Sequence, residues 1–259
     1  MNQILVTKKL YITPELKRKK KIYKFDFIIS IFLVCILTSL YIYAEYDRNK
    51  GEETAKQLLT EMNDVLATPP VIEDTTIAKD DILLVVLDGT VDDYDPSAIK
   101  ENKVPSIAEI NQQAEIKTTA SGYQYKIIAT IEIPKINLNY TVLQGLTGSL
   151  EEIEALLKDS PCKYHGGEPN EVGNFCIVGH NYRNSRFFSK VPTLVVGDKV
   201  NLTDLTGRTL TYEVYDKHTV NPEDTRDTTQ LTGGKKELTI ITCTDDSKQR
   251  VIVKCKEVK

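Results

Sequence analysis

The chemistry legible in this chain concentrates near its C-terminus, in Ile241-Thr242-Cys243-Thr244-Asp245-Asp246. An apolar, β-branched run, Leu238 to Thr242, leads into the cysteine, and Arg250-Val251-Ile252-Val253 follows a short polar stretch. The pattern predicts a strand ending on Cys243, a loop, and a second strand opened by Arg250. A strand end holds a side chain firmly while the adjoining loop leaves it open to a substrate. Cysteine attacks as the thiolate, so Cys243 needs a neighbour that takes or stabilises its proton. The strongest histidine candidate lies upstream, in Gly173-Asn174-Phe175-Cys176-Ile177-Val178-Gly179-His180-Asn181. Cysteine and histidine would be distant in sequence and adjacent in the fold. Cys243 is the candidate nucleophile, with His180 and Arg250 the candidates for the help it needs to ionise.

Each residue also has a plainer reading. Strand alternation puts Cys243 on one face with Ile241 and Thr239, which permits simple core burial. Cys255 shares a face with Val251 and Val253 and reads as core. Arg250 falls on the opposite face with Ile252, Lys254 and Lys256. His218 sits mid-strand and reads as structural or exposed. Cys162-x2-His165 and Cys176-x3-His180 offer four potential ligands for tetrahedral zinc. In that case His180 would be a ligand, not a proton donor, and the chain a non-catalytic extracellular β-domain acting in adhesion. A Cys162–Cys176 disulfide is a third option outside the cell. Carboxylates aimed at a thiol raise its pKa, so Asp245 and Asp246 are expected to point outward.

Further motifs accompany these residues: Ile133-Pro134-Lys135-Ile136, Val142-Leu143-Gln144-Gly145, Phe187-Phe188 and Gly197-Asp198. Taken in order with the Thr-Cys strand end, Arg250 and the Gly-His-Asn segment, they resemble the sortases, cysteine transpeptidases of Gram-positive cell surfaces, over residues 126–259. The resemblance implies a closed eight-stranded β-barrel with Cys243, His180 and Arg250 as the catalytic set. It also implies an LPXTG-like sorting peptide as substrate and an amine of a peptidoglycan precursor, or of a pilin lysine, as acceptor. No redox or nucleotide cofactor and no metal are implied. The short Cys243–Arg250 loop, and a connection from Asn221 to Lys236 without helical pattern, look closer to classes A and D than to class B.

The elements that must position these groups read as many short strands with turn signals. Strands are expected over 126–133, 138–143, 174–180, 199–203, 208–220 and the two C-terminal runs, in an antiparallel barrel or sandwich. Helices are expected from Ser106, where Glu109 completes a capping box, and from Ser149, with Glu151 and Glu152 favourable in the first turn. A short helix is expected over 184–191, and 161–172 as loop.

Upstream, residues 1–26 are a basic, cytoplasmic segment and 27–44 an almost wholly apolar run, just long enough to span a bilayer. The basic block should stay inside, leaving the rest of the chain outside the cell. A cleaved signal peptide competes with an uncleaved anchor, but no small-x-small cleavage site closes the run. Residues 45–125 form a stalk or linker. It begins as a helix to about Ala67 with a stripe of Leu58, Leu59, Met62, Val65 and Leu66, and is stopped by Pro69-Pro70. The acidic stretch 73–95 encloses the apolar run Ile82–Leu87, expected as a strand or docking segment. Asp92-Asp93-Tyr94-Asp95-Pro96 resembles only poorly the Asp-Pro-aromatic lid of pilus-building sortases, because the aromatic comes first. Of 33 basic and 37 acidic residues, eight and two lie before residue 45, so the remainder is formally −10. That excludes a basic nucleic-acid footprint.

Overall fold

The computed structural model describes residues 14–67 and 106–258. The acidic stretch, its Ile82–Leu87 run and the turn at Asp92–Pro96 lie outside them. The chain divides into two compact units, Met1–Lys50 and Gly51–Lys259.

One uninterrupted helix, α1 (Pro14–Ala67), carries both the apolar run and the expected stalk. Phe27, Ile28, Phe32, Leu33, Val34 and Leu37 are all exposed on it, and it is long and apolar enough to cross a membrane. Its last turns belong to the second unit and are not a bare spacer. Gly51, Ala55, Leu58 and Met62 are buried there. Gly51 comes so close to the backbone at Lys158 that a Cβ would stand 2.3 Å from its carbonyl oxygen, so only glycine fits.

The second unit continues with α2 (Ile107–Gln113), whose Ser106–Glu109 capping box forms as expected. Then come β1 (Lys117–Thr118), β2 (Gln124–Ile133), β3 (Leu138–Gly145), α3 (Leu150–Leu156), β4 (Cys162–His165), β5 (Gly173–Val178), β6 (Lys199–Asp204), β7 (Thr209–Val220), β8 (Lys236–Cys243) and β9 (Arg250–Glu257). The sheet order β2-β3-β4-β5-β8-β9-β7-β6 closes when β6 pairs back onto β2, giving an eight-stranded barrel to which β1 adds a short edge. The barrel is mixed, not antiparallel: β3–β4 and β5–β8 are parallel. The hairpin of β6 and β7 lies between β5 and β8 in sequence, and such a long crossover is what a parallel pair requires.

Ile128, Ile131, Ile133, Val142, Phe175, Ile177, Leu238, Ile240, Val251 and Val253 fill the interior. A register shift between Ile127 and Ala129 lets Ile127 face outward while Ile128 turns in. Outside that wall, Leu58 and Met62 of α1 pack with Tyr125, Ile127, Leu143, Cys162 and the apolar face of α3.

Two local expectations fail. Residues 162–165 are strand rather than loop, because pairing with β3 and β5 supplies hydrogen bonds that a four-residue run cannot advertise. The helix expected over 184–191 does not form; only a 3-10 turn, Val191–Thr193, begins at its end. The Asn184 side chain accepts from the Arg186 N–H, and the Ser189 hydroxyl accepts from the Tyr182 N–H, which is how such residues compete with helix formation.

Candidate active site

Strands β5, β8 and β9 lie side by side, and their registers fix which residues share a face. Cys176 pairs with Thr239 and Val178 with Ile241. Thr239 pairs with Lys254, Ile241 with Ile252, and Cys243 with Arg250. These residues form the outer face of the barrel wall. Their alternates, Phe175, Ile177, Leu238, Ile240, Val251, Val253 and Cys255, fill the interior. Cys176, Val220, Ile241 and Ile252 make an apolar patch on the outer face, with Tyr164 and Val178 against it.

Cys243 and Arg250 are direct cross-strand partners at the rim of this face, close enough for side-chain contact. Beyond Val178 the chain stays attached to β8. The Gly179 N–H donates to the Ile241 carbonyl at 3.0 Å, and the Thr242 hydroxyl donates to the Gly179 carbonyl at 2.8 Å. His180 therefore follows β5 to the level of Cys243. The next residue, Asn181, donates to the Cys243 carbonyl and to Asp245 Oδ1, both at 3.0 Å. Gly179 packs under Phe188, whose ring a Cβ would meet at 2.4 Å. The structure thus brings the ends of β5, β8 and β9, with His180, Cys243 and Arg250, to one rim.

Cys243 is half-buried, whereas Cys162, Cys176 and Cys255 are completely buried and unpaired. Burial pushes the Cys176 thiol up to about 12, and raises Cys162 and Cys255 as well, so all three are inert thiols. His180 is lowered from 6.5 chiefly by burial; Glu154 opposes the shift and Lys158 adds to it. Burial thus disfavours the charged imidazole. Arg250 donates to the Gln249 carbonyl and has no carboxylate partner among the described residues, leaving its cation available. Asp245 and Asp246 are exposed; Asp246 accepts from the Thr244 hydroxyl and the Lys248 N–H, whereas Asp245 is held beside the Cys243 carbonyl by Asn181.

The zinc set does not assemble. Cys162 packs with Leu58 and Met62, Cys176 with Val220 and Ile241, and among the described residues no three His, Cys, Asp or Glu side chains converge as metal ligands. Cys162 pairs across from Val178, not Cys176, and both thiols are free.

Three features escaped the sequence reading. His218 is clamped between Asp216 at 2.8 Å and Asp227 at 3.0 Å, tying β7 to the connection that follows it. Asp216 and His218 alternate onto one strand face, which was the available signal. Glu152 is buried and accepts the N–H groups of Leu146, Thr147 and Gly148, shaping the loop after β3. That loop borders a cleft of about 510 Å³ near the start of β5, lined also by Tyr164, His165 and Gln230.

Residues 131–258 match the sortase domain family. A Clostridium perfringens sortase D5 transpeptidase of known structure is 33% identical over 52% of this chain and 80% of its own, with a TM-score of 0.45. The chain belongs to the sortase family. Sortase A of Streptococcus agalactiae serotype III (strain NEM316) is 26% identical over 151 residues, 57% of this chain and 60% of the relative, so the match spans less than two thirds of that sortase's length. A lid mutant of sortase A from Corynebacterium diphtheriae is 26% identical over 59% of this chain and 77% of its own, with a TM-score of 0.46. Within this sortase, the rim at Cys243 lies inside the matched span and the buried end of α1 lies before it.

Proposed function

We propose that this sortase is a membrane-tethered cysteine transpeptidase acting on a sorting peptide of surface proteins. The observation that carries the reading is the rim itself. The only barrel cysteine that is not fully buried stands directly across from an arginine that has no carboxylate partner among the described residues, beside the end of the strand that leads into His180.

In this reading the neutral His180 takes the Cys243 thiol proton as Sγ attacks the scissile carbonyl carbon. Negative charge builds on the carbonyl oxygen, where Arg250 and nearby backbone N–H groups stabilise it. The tetrahedral species collapses with cleavage of the C–N bond. His180 passes its proton to the departing amine, and a thioester remains on Cys243. A primary amine then attacks the thioester carbon, loses its proton to His180, and displaces Sγ, which recovers that proton. Atoms and charge balance with no redox or nucleotide cofactor.

The substrate is an LPXTG-like pentapeptide, and the acceptor an amine of a peptidoglycan precursor or a pilin lysine. The apolar run of α1 is the anchor, with the basic segment cytoplasmic and the barrel outside.

The test is intact-mass analysis of the full-length chain in detergent, incubated with a panel of sorting peptides. An acyl adduct that maps to Cys243, and disappears in Cys243→Ala, is expected. No adduct with any peptide, or an adduct that persists in Cys243→Ala, would end the proposal.

A further inference from the structure

The loop that follows His180 is held in a conformation it would not adopt alone. Phe187 has a φ of +48°, a left-handed backbone that costs any residue but glycine and persists only when its surroundings enforce it. Several contacts enforce it here. The Phe187 N–H donates to the Tyr140 hydroxyl at 3.0 Å, and the two rings stack with centroids 5.1 Å apart and planes 7° from parallel. The Tyr140 hydroxyl in turn donates to Glu52 Oε2 at 2.9 Å. Glu52 is on α1, one residue past Gly51, where the helix touches the Lys158 carbonyl.

From Phe187 the chain of contacts continues to the rim. The Phe187 ring meets Tyr182 edge-on at 5.4 Å, and Tyr182 lies against the His180 imidazole at 5.0 Å. Asn181 bridges to Phe187, and the Phe188 N–H donates to the His180 carbonyl at 3.0 Å. Glu154 and Lys158, whose charges bear on His180, flank the end of α3, and Gly51 approaches the Lys158 backbone. The end of α1 is therefore wired into the surroundings of one imidazole.

We propose that Glu52 and Tyr140 are positioning residues for His180, acting through Phe187 and Tyr182. The helix that carries the apolar run thereby supplies part of the support for the proton-transfer group. Neither residue touches substrate. The inference rests on the role given to His180 above, but it concerns the placement of the ring and can be measured separately from turnover.

The experiment compares Tyr140→Phe, Glu52→Ala and Glu52→Gln in the full-length chain in detergent. It has two readouts: NMR titration of the histidine ring protons, and the rate of acyl adduct formation with its dependence on peptide concentration. Only three histidines are present, and His180→Gln assigns the resonance. Tyr140→Phe and Glu52→Ala should shift the His180 signals and move its pKa upward toward the ordinary value as burial is lost. They should also slow acylation about tenfold with KM changed less than about twofold, the signature of misplacement rather than lost binding. Glu52→Gln keeps an acceptor oxygen and should restore both readouts to within about twofold of wild type. If Tyr140→Phe does not fold, Glu52→Ala decides alone. Variants that only lower the melting temperature, leaving the His180 titration and the acylation rate of folded protein unchanged, overturn the proposal. If wild type forms no adduct, the transpeptidase reading falls, and the titration still decides whether Glu52 and Tyr140 place the ring.

Discussion

Cys243 and Arg250 face each other as the terminal cross-strand pair of β8 and β9, so the sheet register itself sets the two side chains opposite one another on one face. No flexible loop has to fold over to make that pairing. Arg250→Lys keeps the charge but loses the planar fork, and Arg250→Ala loses both. Acylation by a sorting peptide should fall about tenfold in the first and about 10²–10³-fold in the second, the range for removing an oxyanion donor. Equal activity of Arg250→Ala and wild type would remove the arginine from the chemistry.

The cysteines allow an internal control. Cys243→Ala should abolish adduct formation while leaving thermal stability nearly unchanged, because its side chain is only half-buried. Cys255→Ala removes a fully buried sulfur from the interior and should cost about 1–2 kcal/mol in urea unfolding with acylation intact. The opposite pattern, activity surviving the first change and lost with the second, would contradict the assignment.

Much of this was legible locally. The Ser106 and Ser149 caps, the strand pair around Cys243 and the turn that holds Asp246 each depend on neighbours within a few residues. What sequence did not carry is pairing between distant segments. Strand β4 exists only because β3 and β5 flank it. The loop from Asn181 to Ser189 takes its shape from side chains of Tyr140, Asn184 and Ser189. The stripe on the end of α1 was visible, but nothing local said that it would be spent on the barrel wall. The His180 neighbourhood was legible as a motif, whereas its lowered pKa follows from burial that only the fold produces.

That stripe gives a test of where the folded unit begins. Met62 is 2% exposed and packs with Leu143, Leu156 and Cys162, although it precedes the family match at residue 131. Met62→Ala should destabilise the barrel by about 2–4 kcal/mol, as expected for truncating a buried methionine. Val65 on the same helix is exposed, and Val65→Ala should be within about 0.5 kcal/mol of wild type. Equal effects in urea unfolding would mean that this part of the helix is not packed in solution.

The two perturbed histidines should leave opposite marks on stability as pH changes. His180 is depressed in the folded state, mainly by burial, so the folded protein binds its proton less readily than the unfolded chain. Its contribution is fully present above the ordinary value of 6.5 and is lost as pH falls through the lower folded value. His218 is raised; burial opposes the shift, but hydrogen bonds to Asp227 and Asp216 outweigh it. Its contribution is present below 6.5 and is lost as pH climbs through the higher folded value. The His218 ring is partly exposed, so its share is the smaller one after solvent screening. Urea midpoints of wild type, His180→Gln and His218→Gln across pH 4.5–8.5 separate the two. His180→Gln should flatten the acid side of the profile and leave the neutral side unchanged, and His218→Gln should do the reverse. In the transpeptidase reading the acylation rate should fall on the acid side in step with protonation of His180, because a protonated ring cannot take the thiol proton. An acid limb that survives unchanged in the stability profile of His180→Gln would mean that other groups set it, and that a half-buried, neutral imidazole is not what the rim presents to a substrate.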